Sequence, residues 1–274
     1  MNRFTIIGIL CFCMGHFSMA QNDKTDLEKA GLNGQVKSMV LTGYDVIEDG
    51  DTISKGKRNG IIEMYFNDLG VITELKDFDA EMKLISNHKS FYNEQEKITK
   101  EIRLNANDVL TEIFTYKYDH KGYLTELVDS GGLGLFVTRY KYDTLGNKTE
   151  KIVYKNDSII KNKAVYTYYP DGNRKEWYYY NQRTMLLWKI EYIYDKNKVI
   201  EELTYDDNEE LFRKKVIKYN DRNDIIEECK YDASGKKVSS YSYYYEYDEM
   251  ENWVLCIHYK NDKSINILER KINY

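Results

Sequence analysis

Seven glutamates, Glu74, Glu112, Glu126, Glu150, Glu176, Glu202 and Glu227, each stand eight residues after a reference residue, most often a Tyr before Asp or Asn. Carboxylates repeated among phenols admit two chemistries. They can line an acidic, aromatic groove suited to sugars, cations or basic peptides. They can also form a structural ladder in which each Glu accepts a hydrogen bond from a nearby Tyr hydroxyl. A feature present in every unit is usually what holds the units together, which favours the ladder. Glycoside hydrolysis needs two carboxylates in defined roles about 5 to 10 Å apart. A regular ladder singles out no such pair, so no catalytic residue is assigned and the chain is read as a non-enzyme.

A less periodic set lies in "EWYYYNQRTMLLWK", residues 176 to 189. Strand alternation that puts Tyr178 and Tyr180 on the packed face turns Trp177 and Tyr179 outward, where an aromatic can stack on a sugar ring or meet a partner. Trp188 is counted with them as a ligand contact. Tyr244, in "YSYYYEYD" (241 to 248), faces outward in the same way. His88, His120 and His258 are scattered with no ligand spacing, and no Gly-rich phosphate loop or serine elbow occurs. Neither a metal nor a cofactor is expected.

The elements that position these residues follow from the repeat. Reference residues fall at Phe66, Phe78, Tyr92, Leu104, Tyr118, Tyr142, Tyr154, Tyr168, Tyr180, Tyr194, Tyr205, Tyr219, Tyr231, Tyr247 and Tyr259. Several spacings alternate between 12 (66 to 78, 92 to 104) and 14 (78 to 92, 104 to 118), so the unit is a pair of strands of about 26 residues. The step from Tyr194 to Tyr205 is 11, a local slip that affects Glu202. Asp119-His120-Lys121-Gly122, Asp143-Thr144-Leu145-Gly146 and Asp232-Ala233-Ser234-Gly235 carry Asp first and Gly fourth, the chemistry of a three-residue hairpin loop with a left-handed Gly. That loop pairs Asp119 with Tyr123, Tyr118 with Leu124 and Tyr116 with Glu126. Because 12 and 14 are both even, the pattern predicts one tyrosine face kept from strand to strand, with the seven glutamates on it.

The expected fold is therefore all-β: a single antiparallel meander of about 16 to 18 strands, curled, with a tyrosine-rich concave face. Composition agrees, with 27 Tyr, one Pro and 31% charged residues. The formal net charge of -5 comes from interspersed acids and bases and leaves no basic footprint for nucleic acid. Before the array, "DLEKAGLNG" (26 to 34) reads as a short helix stopped at Gly31, then comes a strand at 35 to 45 and a polar loop at 48 to 60. Residues 1 to 20 read as a signal peptide: Arg3, an apolar run from Phe4 to Met14 too short to span a bilayer, and small residues Ser18 and Ala20. The domain reading is thus 1–20 signal peptide, 21–59 N-terminal segment and 60–274 repeat array. Export to the periplasm, cell surface or medium of a Gram-negative bacterium is expected, with no membrane span in the mature chain. Cys229 and Cys256 have opposite parity from their reference residues and are expected to remain free thiols.

The pattern Y-x-Y-D-x-x-G in "YKYDHKGYL" (116 to 124) and "YKYDTLGNK" (140 to 148), looser in "YTYYPDGNR" (166 to 174), resembles the YD repeat of Rhs proteins and similar secreted bacterial proteins. The resemblance covers roughly residues 60 to 274. It implies a β-shell architecture, since such repeats enclose a toxic domain in the large Rhs proteins. This chain is far shorter. Two roles follow as expectations: an exported, non-catalytic binding protein whose partner is a carbohydrate or another envelope protein, or a structural shell element.

Overall fold

The structure, a computed structural model, describes residues 25–274; the signal-peptide reading falls outside the described residues. The first element is a single turn, α1 (Asp26–Lys29). Thr25 caps it by accepting the Glu28 N–H, and the Glu28 carboxylate accepts the Thr25 N–H in return. Gly31, at φ +62°, ends it as expected.

Eighteen strands follow. The first six are β1 (Ser38–Asp49), β2 (Thr52–Phe66), β3 (Ile72–Phe78), β4 (Leu84–Tyr92), β5 (Ile98–Asn105) and β6 (Leu110–Tyr118). Next come β7 (Leu124–Gly131), β8 (Gly134–Tyr142), β9 (Lys148–Lys155), β10 (Ile159–Tyr168), β11 (Arg174–Tyr180) and β12 (Leu186–Asp195). The last are β13 (Lys198–Tyr205), β14 (Leu211–Tyr219), β15 (Ile225–Asp232), β16 (Lys237–Tyr247), β17 (Trp253–Lys260) and β18 (Lys263–Asn273). Residues 52 to 60, read as polar loop, are the first part of β2.

Every strand is antiparallel to its sequence neighbour, and β1 pairs with both β2 and β18. The sheet is therefore a closed 18-stranded antiparallel barrel, which corrects the open, curled meander. Twist accumulated over so many strands brings the two ends of a sheet together, and the β1–β18 ladder from Ser38↔Asn273 to Tyr44↔Ile267 leaves no free edge.

The turns behave as their chemistry dictates. Gly122, at φ +84°, donates its N–H to the Asp119 carbonyl at 2.9 Å, and Asp119 Oδ1 accepts the N–H groups of Lys121 and Tyr123 at 2.9 Å each. Tyr118 pairs with Leu124 as expected. The next pair does not follow: Lys117 faces Glu126 and Tyr116 faces Leu127, because Thr125 is an extra, bulged residue. Its hydroxyl donates to the Lys117 carbonyl at 3.1 Å. Thr73, Thr99 and Thr111 make the same bond to the carbonyls of Tyr65, Phe91 and Arg103.

One bulge in each hairpin from β2–β3 onward, β7–β8 excepted, cancels the even spacing. Each new strand presents its reference residue to the opposite face, so there is no continuous tyrosine face. Register places Phe66, Tyr92, Tyr118, Tyr142, Tyr168, Tyr194, Tyr219 and Tyr247 inward, whereas Phe78, Leu104, Tyr154, Tyr180, Tyr205, Tyr231 and Tyr259 point outward. Burial identifies the sides: Ile62, Met64 and Glu228 on the inner face are wholly buried, while outer Lys117 and Lys141 keep 69% and 73% of their side chains exposed.

The inward tyrosines explain the conserved spacing within each unit. Tyr92, Tyr118, Tyr168 and Tyr219 each donate a hydroxyl to the carbonyl 20 residues back, on Ile72, Ile98, Lys148 and Val199, at 2.6 to 2.9 Å. That carbonyl opens the strand after the preceding turn at the same rim. Each phenol thus ties one hairpin to the next.

Across that rim the segment before β1 packs on the inner face. Leu32 and Val36 are buried with Met39, Leu41, Met64 and Trp253, forming the larger apolar core. Asn252, wholly buried in the β16–β17 turn, accepts the Asn33 N–H at 2.7 Å and donates to the Asn33 carbonyl at 3.0 Å and the Tyr274 hydroxyl at 2.6 Å. Replacing Asn252 by Ala strands these groups in the interior and is expected to cost about 2–4 kcal/mol, read by urea denaturation. An unchanged midpoint would show that the segment is not anchored there.

Cys229 and Cys256 are both buried and neither forms a disulfide, as expected. Cys229 faces outward opposite Val216, and Cys256 faces inward opposite Leu268.

Candidate functional site

The bulge rule relocates the aromatic candidates. Trp177 pairs with Tyr166 on one side and Ile190 on the other, and Tyr179 pairs with Ala164 and Trp188. Trp177, Tyr179 and Trp188 therefore face the lumen, and Tyr178 and Tyr180 face outward, the reverse of strand alternation counted without the bulge at Lys175. The three rings form one cluster. Tyr179 stacks on Trp188 with centroids 4.9 Å apart and planes 12° apart, and Trp177 meets Trp188 edge-on at 4.7 Å. Tyr244 faces outward as expected, 53% exposed opposite Ile257, but on β16 it is four strands from the cluster and does not join it.

The glutamates divide as well. Glu74, Glu126, Glu150, Glu176 and Glu227 point outward, which overturns their placement on a concave tyrosine face. Their partners are mainly cations. Glu126 binds Lys117 at 2.6 Å and Arg139 at 3.2 Å; Glu150 binds Lys141 and Lys163 at 2.7 and 2.6 Å; Glu227 binds Lys218 at 2.6 Å. The Lys117 ammonium holds Glu126, and that of Lys218 holds Glu227, below the usual carboxylate range. Glu176 accepts the Thr167 hydroxyl at 2.8 Å, and Glu74 accepts the Asn87 amide at 2.8 Å. Only Glu112 and Glu202 of the seven face inward, paired with Arg103 and with Lys215 (2.8 Å) respectively.

The inner wall also carries residues that the repeat analysis passed over. Six and nine residues after an inward reference residue are inward positions, and there stand Lys148, Lys151 and Arg174. Lys148 Nζ lies 4.9 Å from the centre of the Tyr140 ring, and the Arg174 guanidinium 4.8 Å from that of Tyr166. Burial, together with the charges of Arg174 and Lys151, pushes the Lys148 ammonium down to about 8; burial also lowers Lys151. From Asp129 on β7 to Glu202 on β13, the inward positions include Lys148, Lys151, Lys155 and Arg174 and no carboxylate. Arg174 Nε and Trp177 Nε1 are buried donors without an acceptor.

At the rim above the aromatic cluster, a pocket of about 370 Å³ is lined by Tyr179 together with Lys161, Asn181, Arg183, Met185 and Leu187. It continues the same chemistry, with cations and amides around an aromatic ring. Eighteen strands enclose more space than inward side chains fill, and most inward residues between β5 and β15 are only half buried. The site is thus one sector of a lined lumen.

No family model matches the chain, and no curated protein does. Among solved structures, the chain is similar to a porin-like protein from Bacteroides uniformis at 11% identity and a TM-score of 0.47, over 88% of this chain and 99% of that one. A porin-like protein from Bacteroides vulgatus gives 11% identity and 0.33, over 87% and 98%. The Photorhabdus luminescens Tc holotoxin pore gives 15% and 0.37 over 83% of this chain, which spans 13% of that one.

Proposed function

We propose that this protein is an exported, non-catalytic binding barrel that takes a saccharide against the inner aromatic cluster of β11 and β12. The observation that carries this reading is the Trp177–Trp188–Tyr179 cluster, half buried on a lumen wall and opening toward a rim pocket with amide and cationic donors. Flat aromatic faces beside polar donors suit a sugar ring, which is apolar on its faces and polar at its edge. The outward wall is laced with Lys–Glu and Arg–Glu pairs on β6 to β9 and on β14 and β15, where a lipid-embedded barrel needs an apolar band. This supports a barrel standing in water at or beyond the envelope.

A glycan array probed with the purified protein is expected to show saccharide binding. Tyr179→Ala and Trp188→Ala should each weaken it about tenfold or more, the equivalent of about 1.4 kcal/mol. Variants that fold and bind like the parent would remove the site. If no glycan binds, the structural shell element implied by the repeat resemblance becomes the reading to keep, since the enclosed lumen also suits it.

A further inference from the structure

We propose that the lumen sector from β8 to β12 is an anion subsite, in which Lys148, Lys151 and Arg174 hold the carboxylate or sulfate group of an acidic saccharide. This rests on the saccharide reading above and specifies the ligand's charge. Three independent observations converge. First, the carboxylates on strands β8 to β12, such as Glu150 and Glu176, point outward, where Lys141 and Lys163 pair with Glu150, whereas the inward positions carry Lys148, Lys151 and Arg174 and no carboxylate. Two inward cations elsewhere in the lumen do have acids: Arg103 has Glu112, and Lys215 has Glu202. Second, Lys148 and Lys151 are half buried with no carboxylate partner among the described residues, and the ring face of Tyr140 under Lys148 attracts a cation without carrying net charge. Third, two buried N–H donors, Arg174 Nε and Trp177 Nε1, lack acceptors.

The register gives the subsite its reach. Lys151, Ala164, Tyr179 and Trp188 lie in one row across four adjacent strands, so the cations and the stacked rings are about 10 Å apart, the span of one or two sugar units. Ala164 is the small residue between them. Lys161 and Arg183 at the rim pocket extend the positive strip to the mouth of the barrel.

The test is calorimetric titration of the purified protein with trigalacturonate, a sulfated disaccharide, neutral maltotriose and inorganic sulfate. The acidic sugars should bind at least about tenfold tighter than maltotriose, and their affinity should fall steeply between about 20 mM and about 300 mM NaCl. The trigalacturonate and sulfated arms tell which anionic group is preferred. Lys148→Met and Lys151→Met together should bring acidic-sugar affinity down to that of maltotriose. Lys148→Met should also raise the melting temperature, because it removes an unpaired buried charge, so lost binding cannot be blamed on unfolding. Maltotriose binding as tightly as trigalacturonate, unaffected by salt, overturns the anion subsite while leaving the saccharide reading intact. Binding of sulfate alone, lost in the double variant, sinks the saccharide reading but keeps the cationic site. No response to any anion overturns the proposal.

Discussion

Raising the pH past 10 is expected to unfold the barrel cooperatively before about pH 12. Burial pushes Tyr92, Tyr118, Tyr140, Tyr192, Tyr194 and Tyr219 each up to about 12, chiefly by desolvating the phenolate. Their stabilising effect is fully present below the unfolded value near 10 and is lost as pH rises toward the folded value. Above pH 10 the unfolded chain releases protons that the barrel retains. Each phenol then costs up to about 1.4 kcal/mol per pH unit, roughly half that where its ring still meets water. Six of them remove about 4–8 kcal/mol per unit, against a total stability on the order of 5–15 kcal/mol. Lys148 acts in the opposite direction at lower pH: its folded value near 8 lies below the unfolded 10.5, so stability rises as pH climbs from about 8 toward 10. The melting temperature should therefore peak between about pH 9 and 10 and then collapse. Phenolate absorbance and far-ultraviolet circular dichroism, followed together, should change in one step. Gradual ionisation centred on pH 10 with the dichroism intact would show that the inward tyrosines are open to solvent.

Inserting one alanine between Glu126 and Leu127 should have the other large effect, loss of the folded barrel. Continued pairing from Glu126 places the alanine opposite Tyr116, turns Leu127 and Asp129 outward and brings Val128 in. The rest of β7 then meets β8 with its faces exchanged. Deleting Thr125 instead joins Leu124 to Glu126 and keeps Glu126 opposite Lys117 and Leu127 opposite Tyr116, so it removes the bulge and its hydroxyl bond to the Lys117 carbonyl without moving a face, at about 1 kcal/mol. Size-exclusion chromatography and thermal melting should show the insertion aggregated or unfolded and the deletion folded with a slightly lower melting temperature. A folded insertion variant would mean that a second bulge absorbs the added residue and that the two faces of β7 do not fix its register.

Local chemistry made the hairpins readable from the chain alone. Asp119 and Gly122 specify their own turn through bonds within five residues, Gly31 ends the first helical turn through its own backbone freedom, and Tyr-rich alternation specifies strands. The Y-x-Y-D spacing also specified a repeat, because Tyr92, Tyr118, Tyr168 and Tyr219 each meet a carbonyl 20 residues behind. Two things required the folded molecule. Closure depends on how the right-handed twist of eighteen strands adds up, and the β1–β18 ladder that completes it joins residues more than 200 positions apart, which no local signal encodes. Facing depends on a single bulged residue in nearly every hairpin of the repeat array. At Thr73, Thr99, Thr111 and Thr125 it is a threonine, but at Ile85, Lys161 and Lys175 it is not, so no residue type marks it and the even spacing of 12 and 14 hides it. Because strand periodicity is two, one uncounted residue exchanges inside for outside. It carried Trp177 and Tyr179 into the lumen, sent Glu126 and Glu150 to the surface, and gathered Lys148, Lys151 and Arg174 on one wall, since residues from separate hairpins become neighbours only when the strands between them are in register.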